Sequence, residues 1–207
     1  MGFRAILRSF PNLWTEPHTA IDIVKELKPD VVVADNYDYV VAYDTDCKCA
    51  RKLHELSEYT RKSYLYEIVI KGQIEWLKAF PKTIEVAIES RKFYVVHGNP
   101  RNCLHGYMKL SPSLDELKPS LTLSMIVLKP KLLQVDTVVA DQTHVPMDIN
   151  IDCVRAVNSR SCRKPSYDDY RASYAVYGTK TNVLEIRRVE YDIDKVVSNL
   201  KDLRAEG

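Results

Sequence analysis

Hydrophobic and polar residues alternate with two different periods along the 207-residue chain. A helical spacing of apolar residues predicts helices at 19–27, 48–66, 73–80 and 193–203. Apolar or alternating runs predict strands at 3–7, 31–34, 83–88, 93–96, 135–140, 148–157, 172–177 and 183–191. The stretches 36–46 and 99–118 are predicted loops, the second with a helical turn after Ser113. The run at 121–128 fits either a helix or a buried strand.

The order of these elements indicates the fold class. Strand 3–7, helix 19–27 and strand 31–34 form a β-α-β unit, whose two strands should be parallel. The later strands follow one another directly, which favours two sheets packed face to face with helices outside them. We therefore predict an α/β (α+β) fold in a single domain, 1–207.

Three predicted strands are followed by residue types that bind metal ions. Asp35 follows the strand at 31–34, His97 follows the strand at 93–96, and His144 lies just beyond the strand that ends at Ala140. Catalytic and ligand-binding groups gather at strand ends in layered α/β proteins, and Asp and His are common metal ligands. Each residue also has an ordinary interpretation, since Asp35 can cap a helix and a histidine after a strand is often a turn residue.

Three sequence segments, which follow one another in the family's order, resemble the calcineurin-like metallophosphoesterases. The resemblance is greatest to a small prokaryotic, phosphodiesterase-like branch. Residues 96–104 resemble its "VHGSPRDPL" segment, residues 140–146 its "GHTHVP" segment, and 158–165 with 171–176 its "NPGSVGQPRDGDPRASYAV" segment. The resemblance is strong over 93–198 and faint before residue 50. It implies a four-layer α/β/β/α sandwich with a site at the C-terminal edge of the sheets, and a domain truncated between about 45 and 72.

The family builds a two-metal site that clamps a phosphoester and generates a hydroxide nucleophile. Transferred residue by residue, the resemblance assigns Asp35 to the bridging Asp, His97 to the lone His, and His144 to the second His of G-H-x-H. Gln142 stands at the first His of that motif, and Asp141 at its Gly. The family's G-N-H motif is absent from the sequence. The resemblance therefore implies a degenerate active site.

Three residues are expected to have further roles in this site. Arg8 stands where the family has the Asp of its D-x-H motif, and we expect it to pair with Asp35 and replace the charge of a metal ion. Asp141 can serve as a carboxylate ligand in a rearranged site for one ion. Arg101, in the loop after His97, can contact a phosphate. No cofactor is expected; if one is bound, it should be a divalent metal (Mn, Fe, Ni or Zn).

Composition narrows the class of protein and its partners. A net charge of +2 gives no reason to expect nucleic acid or an anionic membrane as a partner, and no apolar run is long enough to span a bilayer. Five cysteines, with Cys47 and Cys49 in C-x-C spacing, are interpreted as mostly reduced thiols of a cytoplasmic protein, although a disulfide stays open. Scarce Gln and plentiful Lys, Val and Tyr favour a thermophilic source.

Three functional hypotheses follow. The first is a metallophosphoesterase-fold protein that has lost two-metal catalysis and acts by binding or assembly, with a protein partner or a second copy of itself. The second is an active metal-dependent phosphatase or phosphodiesterase with a reduced site at Asp35, His97, Asp141 and His144. The third is a nucleotide or phosphate sensor that uses the cleft without hydrolysis.

Overall fold

The computed structural model describes residues 3–6, 16–48, 51–108, 114–123, 132–158 and 169–205. The chain divides into two compact units. The first unit comprises Met1–Arg8, Pro29–Asn36 and Phe80–Arg188, and the second comprises Ser9–Lys28, Tyr37–Ala79 and Val189–Gly207. The single domain over 1–207, truncated between about 45 and 72, stays a prediction.

The strands belong to three sheets. Their bounds are β1 (Ala5–Ile6), β2 (Val31–Val32), β3 (Thr83–Ile88), β4 (Arg91–Val96), β5 (Thr137–Ala140), β6 (Met147–Ile151), β7 (Val154–Asn158), β8 (Ala172–Gly178) and β9 (Val183–Val189). Strands β1 and β2 pair in parallel, as predicted, and β8 forms a sheet with β9. The central sheet has the order β3-β4-β5-β7-β6, with β4, β5 and β7 parallel and both edge strands antiparallel to their neighbours.

Alternation along β4 gives the central sheet two apolar faces. Phe93 and Val95 face one core with Val31 and Val33, so the first and central sheets share a hydrophobic layer. Tyr94 and Val96 point the other way, into a core that is completed by residues of β5, β6 and β7 and by Met108, Leu117, Leu121, Leu133 and Val135. The uninterrupted apolar run that predicted this strand suits a strand that is covered on both faces. Two short 3-10 turns, Leu114–Glu116 and Lys118–Leu121, lie in the loop region where a helical turn was expected.

The helices are α1 (Pro17–Leu27), α2 (Asn36–Tyr43), α3 (Arg51–Thr60), α4 (Tyr66–Ile68), α5 (Lys71–Lys78) and α6 (Ile193–Ala205), with a π-helical segment, Arg61–Leu65, joining α3 to α4. Helix α1 starts with Pro17, whose missing N–H is not needed in the first turn, and ends at Lys28 in the left-handed conformation. Within the second unit, the buried Gln73 side chain joins α5 to α1 by donating to the carbonyl of His18 at 3.2 Å and to Asp22 Oδ1 at 3.0 Å.

Two element predictions are wrong. The range 36–46, predicted as a loop, contains α2, because Val40, Val41 and Ala42 are buried and burial outweighs the weak helix propensity of valine. The range 148–157, predicted as one strand, holds β6 and β7, joined at Asp152 and Cys153. Asp152 has a φ of 52°, the left-handed conformation that lets Asp close a tight turn. The run at 121–128 lies mostly outside the described residues.

The α/β prediction is confirmed by this mixture of helices with a central mixed sheet. The four-layer sandwich stays a prediction. Within the described ranges, no helix has the length and apolar character needed to cross a membrane.

Candidate functional site

Three polar residues lie at one edge of the central sheet. His97 follows β4, Asp141 follows β5, and Asn158 is the last residue of β7. These strands are parallel, so their C-terminal ends meet at the same edge, where α/β proteins place ligand-binding groups. The backbone N–H groups of Asp141 and Gln142 both donate to the carbonyl of His97 at 2.9 Å, which fixes the loop after β5 against the loop after β4.

The loop after His97 is closed by its own hydrogen bonds. The N–H of Gly98 donates to the carbonyl of Cys103 at 2.7 Å, and Asn99 Oδ1 accepts from the N–H of Asn102 at 2.8 Å. A Cβ atom at Gly98 would lie 2.9 Å from the carbonyl oxygen of Cys103, closer than packing allows. The sequence Gly-Asn-Pro thus builds a tight turn that presents Arg101, partly exposed, next to the sheet edge.

His97 and Asp141 form a buried pair. Each residue is 2% exposed, and Nδ1 of His97 lies 3.8 Å from Oδ2 of Asp141. Neither ring nitrogen of His97 forms a hydrogen bond within the described part of the chain. A buried polar group without a hydrogen bond lowers the stability of a fold by about 1–3 kcal/mol. The His97 imidazole therefore either destabilises the fold or interacts with a bound ligand.

Asp35 is buried directly before α2, at the position of an N-cap residue, which is one of the two interpretations that the sequence left open. The backbone around it is held by neighbouring strands. The N–H of Val33 donates to the carbonyl of Ile6 at 3.1 Å, and the N–H of Ala34 to the carbonyl of Pro81 at 2.9 Å. Asp35 therefore has a fixed place in the first unit.

His144 lies in the turn after β5 and has a φ of 57°, an uncommon conformation for a residue with a side chain. Its N–H donates to the carbonyl of Asp141 at 3.1 Å. Asn158 supports the same turn by donating from Nδ2 to Thr143 Oγ1 at 3.0 Å. Sequence reasoning missed this role of Asn158, although a polar residue at the end of a predicted strand was the signal for it.

The four residues that the resemblance assigns to a metal site, Asp35, His97, Asp141 and His144, are called the inherited residues from here on. A metal site needs several ligand atoms close to one point. Within the described ranges, the one group of three or more His, Cys, Asp or Glu residues with all ligand atoms within 4.8 Å of one another is Asp46, Cys47 and His54. Among the inherited residues, the side chains of His97 and Asp141 lie close together, with 3.8 Å between Nδ1 and Oδ2. Arg8, the predicted substitute for a metal charge, lies outside the described residues.

The overall structure resembles two solved structures. One is a hypothetical protein from Pyrococcus horikoshii OT3, which is 18% identical, with a TM-score of 0.77 over 97% of this chain and 79% of the other. The other is a metallophosphoesterase from Sphaerobacter thermophilus, which is 16% identical, with a TM-score of 0.72 over 98% of this chain and 94% of the other. The chain has the fold of the calcineurin-like metallophosphoesterases. This confirms, for the fold, the resemblance first seen in the sequence.

At this level of identity, the likeness to metallophosphoesterases concerns the fold and carries no activity with it. No protein-family model and no curated protein matches the sequence. Function must therefore be argued from the site residues themselves.

Proposed function

We propose that this metallophosphoesterase-fold chain does not assemble a two-metal centre and acts by binding or assembly, without phosphoester hydrolysis. The observation that supports this proposal is the spacing at the sheet edge, where His97 and Asp141 lie 3.8 Å apart and no third Asp or His completes the group within the described chain. Gln142, at the position of the family's first G-H-x-H histidine, adds an amide oxygen, which is a poor ligand for transition metals.

The proposal extends to the chemistry of what is bound. Arg101 lies on the turn that follows His97, and its guanidinium suits an anion such as phosphate by charge and by its fork of donors. A phosphate or nucleotide is thus the small ligand that the edge would accept. The partner in an assembly is either another protein or a second copy of this chain. The cytoplasmic location stays a prediction.

A second candidate function is favoured by one specific observation. Both ring nitrogens of the buried His97 lack a hydrogen bond within the described residues. This is expected of a histidine whose ring nitrogen is available to coordinate a cation. In that case, His97 and Asp141 would hold one divalent ion, with water completing its coordination, and the ion would supply Lewis-acid polarisation of a phosphate oxygen. This is the reduced-site phosphatase or phosphodiesterase.

Hydrolysis assays separate the two candidates. The purified chain is incubated with p-nitrophenyl phosphate and with bis(p-nitrophenyl) phosphate, each with added Mn²⁺. We expect no turnover above that of the His97→Ala variant. The matched control is His105→Ala, which removes a partly exposed histidine from the same loop. Turnover that is abolished by His97→Ala and kept by His105→Ala would overturn the proposal in favour of the reduced-site enzyme.

A further inference from the structure

A second group of potential metal ligands lies in the second unit, away in sequence from every residue of the inherited site. Asp46 and Cys47 lie in the segment after α2, and His54 lies on α3. Cys47 Sγ is 3.6 Å from His54 Nδ1, and that nitrogen is 3.9 Å from Asp46 Oδ1. The three ligand atoms all lie within 4.8 Å of one another. Sequence reasoning gave His54 no role and treated the cysteine pair as a weak signal.

The spacing of these atoms matches the requirements of zinc. With a Zn–S bond of about 2.3 Å, a Zn–N bond of about 2.0–2.1 Å and a tetrahedral angle, the sulfur and nitrogen ligands are about 3.6 Å apart. This is the distance between Cys47 and His54. A thiolate, an imidazole and a carboxylate also form a donor set typical of zinc, whereas Mg²⁺ and Ca²⁺ prefer oxygen alone.

The segment that carries Asp46 and Cys47 is held in a defined shape. Asp44 and Lys48 both have left-handed backbones, with φ of 49° and 48°. The N–H of Lys48 donates to Asp46 Oδ1 at 2.6 Å, which orients that carboxylate. The guanidinium of Arg61 pairs with Asp44. Such support reduces the rearrangement that is needed when a cation binds.

A cation can reach this group from solvent. The side chains of His54 and Asp46 are 38% and 61% exposed, whereas Cys47 is buried below them. The group thus has one buried ligand residue and two that are accessible to solvent. A water molecule would take the fourth tetrahedral position, as it does in zinc sites with three protein ligands.

The oxidation state of Cys47 determines whether its sulfur can serve as a thiolate ligand. Cys47 is disulfide-bonded, whereas Cys103 and Cys153 are free. The sequence-based interpretation was of mostly reduced thiols with a disulfide left open, and Cys47 is a cysteine that forms one. A disulfide sulfur is not a thiolate and does not serve as an anionic zinc ligand.

We propose that Asp46, Cys47 and His54 form a zinc site that becomes available when the disulfide of Cys47 is reduced. A dithiol supplies two electrons and two protons to the disulfide, which becomes two thiols, while the dithiol is oxidised to its own disulfide. On binding Zn²⁺, the Cys47 thiol releases its proton to solvent, and Asp46 and the neutral His54 complete the donor set. This inference is independent of the proposed function, because none of these residues belongs to the sheet edge.

Cobalt titration tests the proposal on the full-length protein. The chain is reduced with dithiothreitol, desalted without oxygen and titrated with Co²⁺, which replaces zinc and gives a near-ultraviolet thiolate-to-cobalt charge-transfer band. We expect the band at one Co²⁺ per reduced chain, its loss on addition of Zn²⁺, and no band in the unreduced protein. The inherited residues contain no thiol, so this readout does not respond to a metal at His97 and Asp141.

Variants assign the ligands. Cys47→Ser should abolish the band, and His54→Ala should weaken Co²⁺ binding by about tenfold or more. His54 is partly exposed, so His54→Ala provides the test if Cys47→Ser, at a buried position, fails to fold. Cys153→Ser removes an exposed free thiol and should leave the titration unchanged. Absence of the band in the reduced wild type, or a band that persists with unchanged affinity in His54→Ala, would overturn the proposal.

Discussion

The geometry of the candidate site depends on a single residue, Gly98. It follows His97 directly, and its N–H closes the loop on the carbonyl of Cys103. Around it, the carbonyls of Asn102 and Cys103 and the N–H of Gly106 occupy the space that a side chain would need. The position of the imidazole at the sheet edge therefore depends on a residue without a Cβ atom.

Gly98→Ala should lower the free energy of unfolding by about 1–3 kcal/mol, because the methyl group would overlap with backbone atoms that have little freedom to move. Urea denaturation at neutral pH measures the change. The matched control is Gly72→Ala in α5, where nothing lies within 4 Å of the new methyl group, and alanine should stabilise the helix by up to about 1 kcal/mol. Equal effects of the two substitutions would contradict this account of Gly98.

The sequence predicts which residues stand at the strand ends, but not which side chains meet there. His97 and Asp141 are recognisable because a buried apolar run stops at each of them. Whether His144 joins them depends on its positive φ and on the support that Asn158 gives to Thr143, and neither follows from residue type or spacing. The Asp46, Cys47 and His54 group was missed for the same reason, since it requires knowing how the segment after α2 packs on α3.

At the scale of elements, the buried guanidinium of Arg61 stabilises the junction of α3 with the π-helical segment. The Arg61 side chain is 6% exposed, bonds Glu58 at 2.5 Å and also pairs with Asp44. The Tyr66 hydroxyl lies 3.2 Å from Asp44 Oδ1 and 3.3 Å from the carbonyl of Val41. These contacts join α2, α3 and α4 within the second unit.

Arg61→Ala should lower the free energy of unfolding by about 1–3 kcal/mol, because Glu58 is largely covered and would lose its main partner. Lys62→Ala is the matched control. Lys62 contacts the same carboxylate but is exposed, so its loss should change stability by less than about 0.5 kcal/mol. Thermal and urea unfolding of both variants measure the difference, and a larger effect of Lys62→Ala would contradict the assignment.

The contribution of Arg61 should also depend on pH. Burial by itself raises the pKa of Glu58, but the hydrogen bond and charge of Arg61 outweigh it and hold that pKa below its ordinary value. A lowered carboxyl pKa stabilises the fold above the unfolded value of about 4.3, and this contribution disappears as the pH falls through the folded value. The stability difference between wild type and Arg61→Ala should therefore shrink at pH 3 relative to pH 7.

Element predictions failed where tertiary structure outweighs local pattern. The Tyr- and Asp-rich stretch 36–43 lacks a clear apolar stripe and is helical because three consecutive residues, 40–42, are buried. The turn at Asp152 and Cys153 is hard to recognise in the sequence, because apolar, buried residues, Ile151 and Val154, stand directly on either side of it. By contrast, β3 and α6 have regular periodicity and β4 contains an uninterrupted apolar run, and the structure places all three within two residues of the predicted bounds.

At the scale of the molecule, the fold of the metallophosphoesterases is present, whereas the absence of their two-metal centre is the proposal made above. Structures that are 16–18% identical share this arrangement over nearly the whole chain. The sheet, its two apolar cores and the tight loop after β4 are held by apolar packing and backbone hydrogen bonds. Fold and site are thus separable, and the central claim concerns the site.

Metal content tests that claim most directly. The unreduced protein, in which Cys47 remains disulfide-bonded, is loaded with Mn²⁺, desalted and analysed for manganese beside His97→Ala. The account predicts close to zero Mn²⁺ per chain in both proteins. Two ions per chain would contradict it by showing a complete two-metal centre, and one ion that is lost in His97→Ala would establish the reduced site in its place.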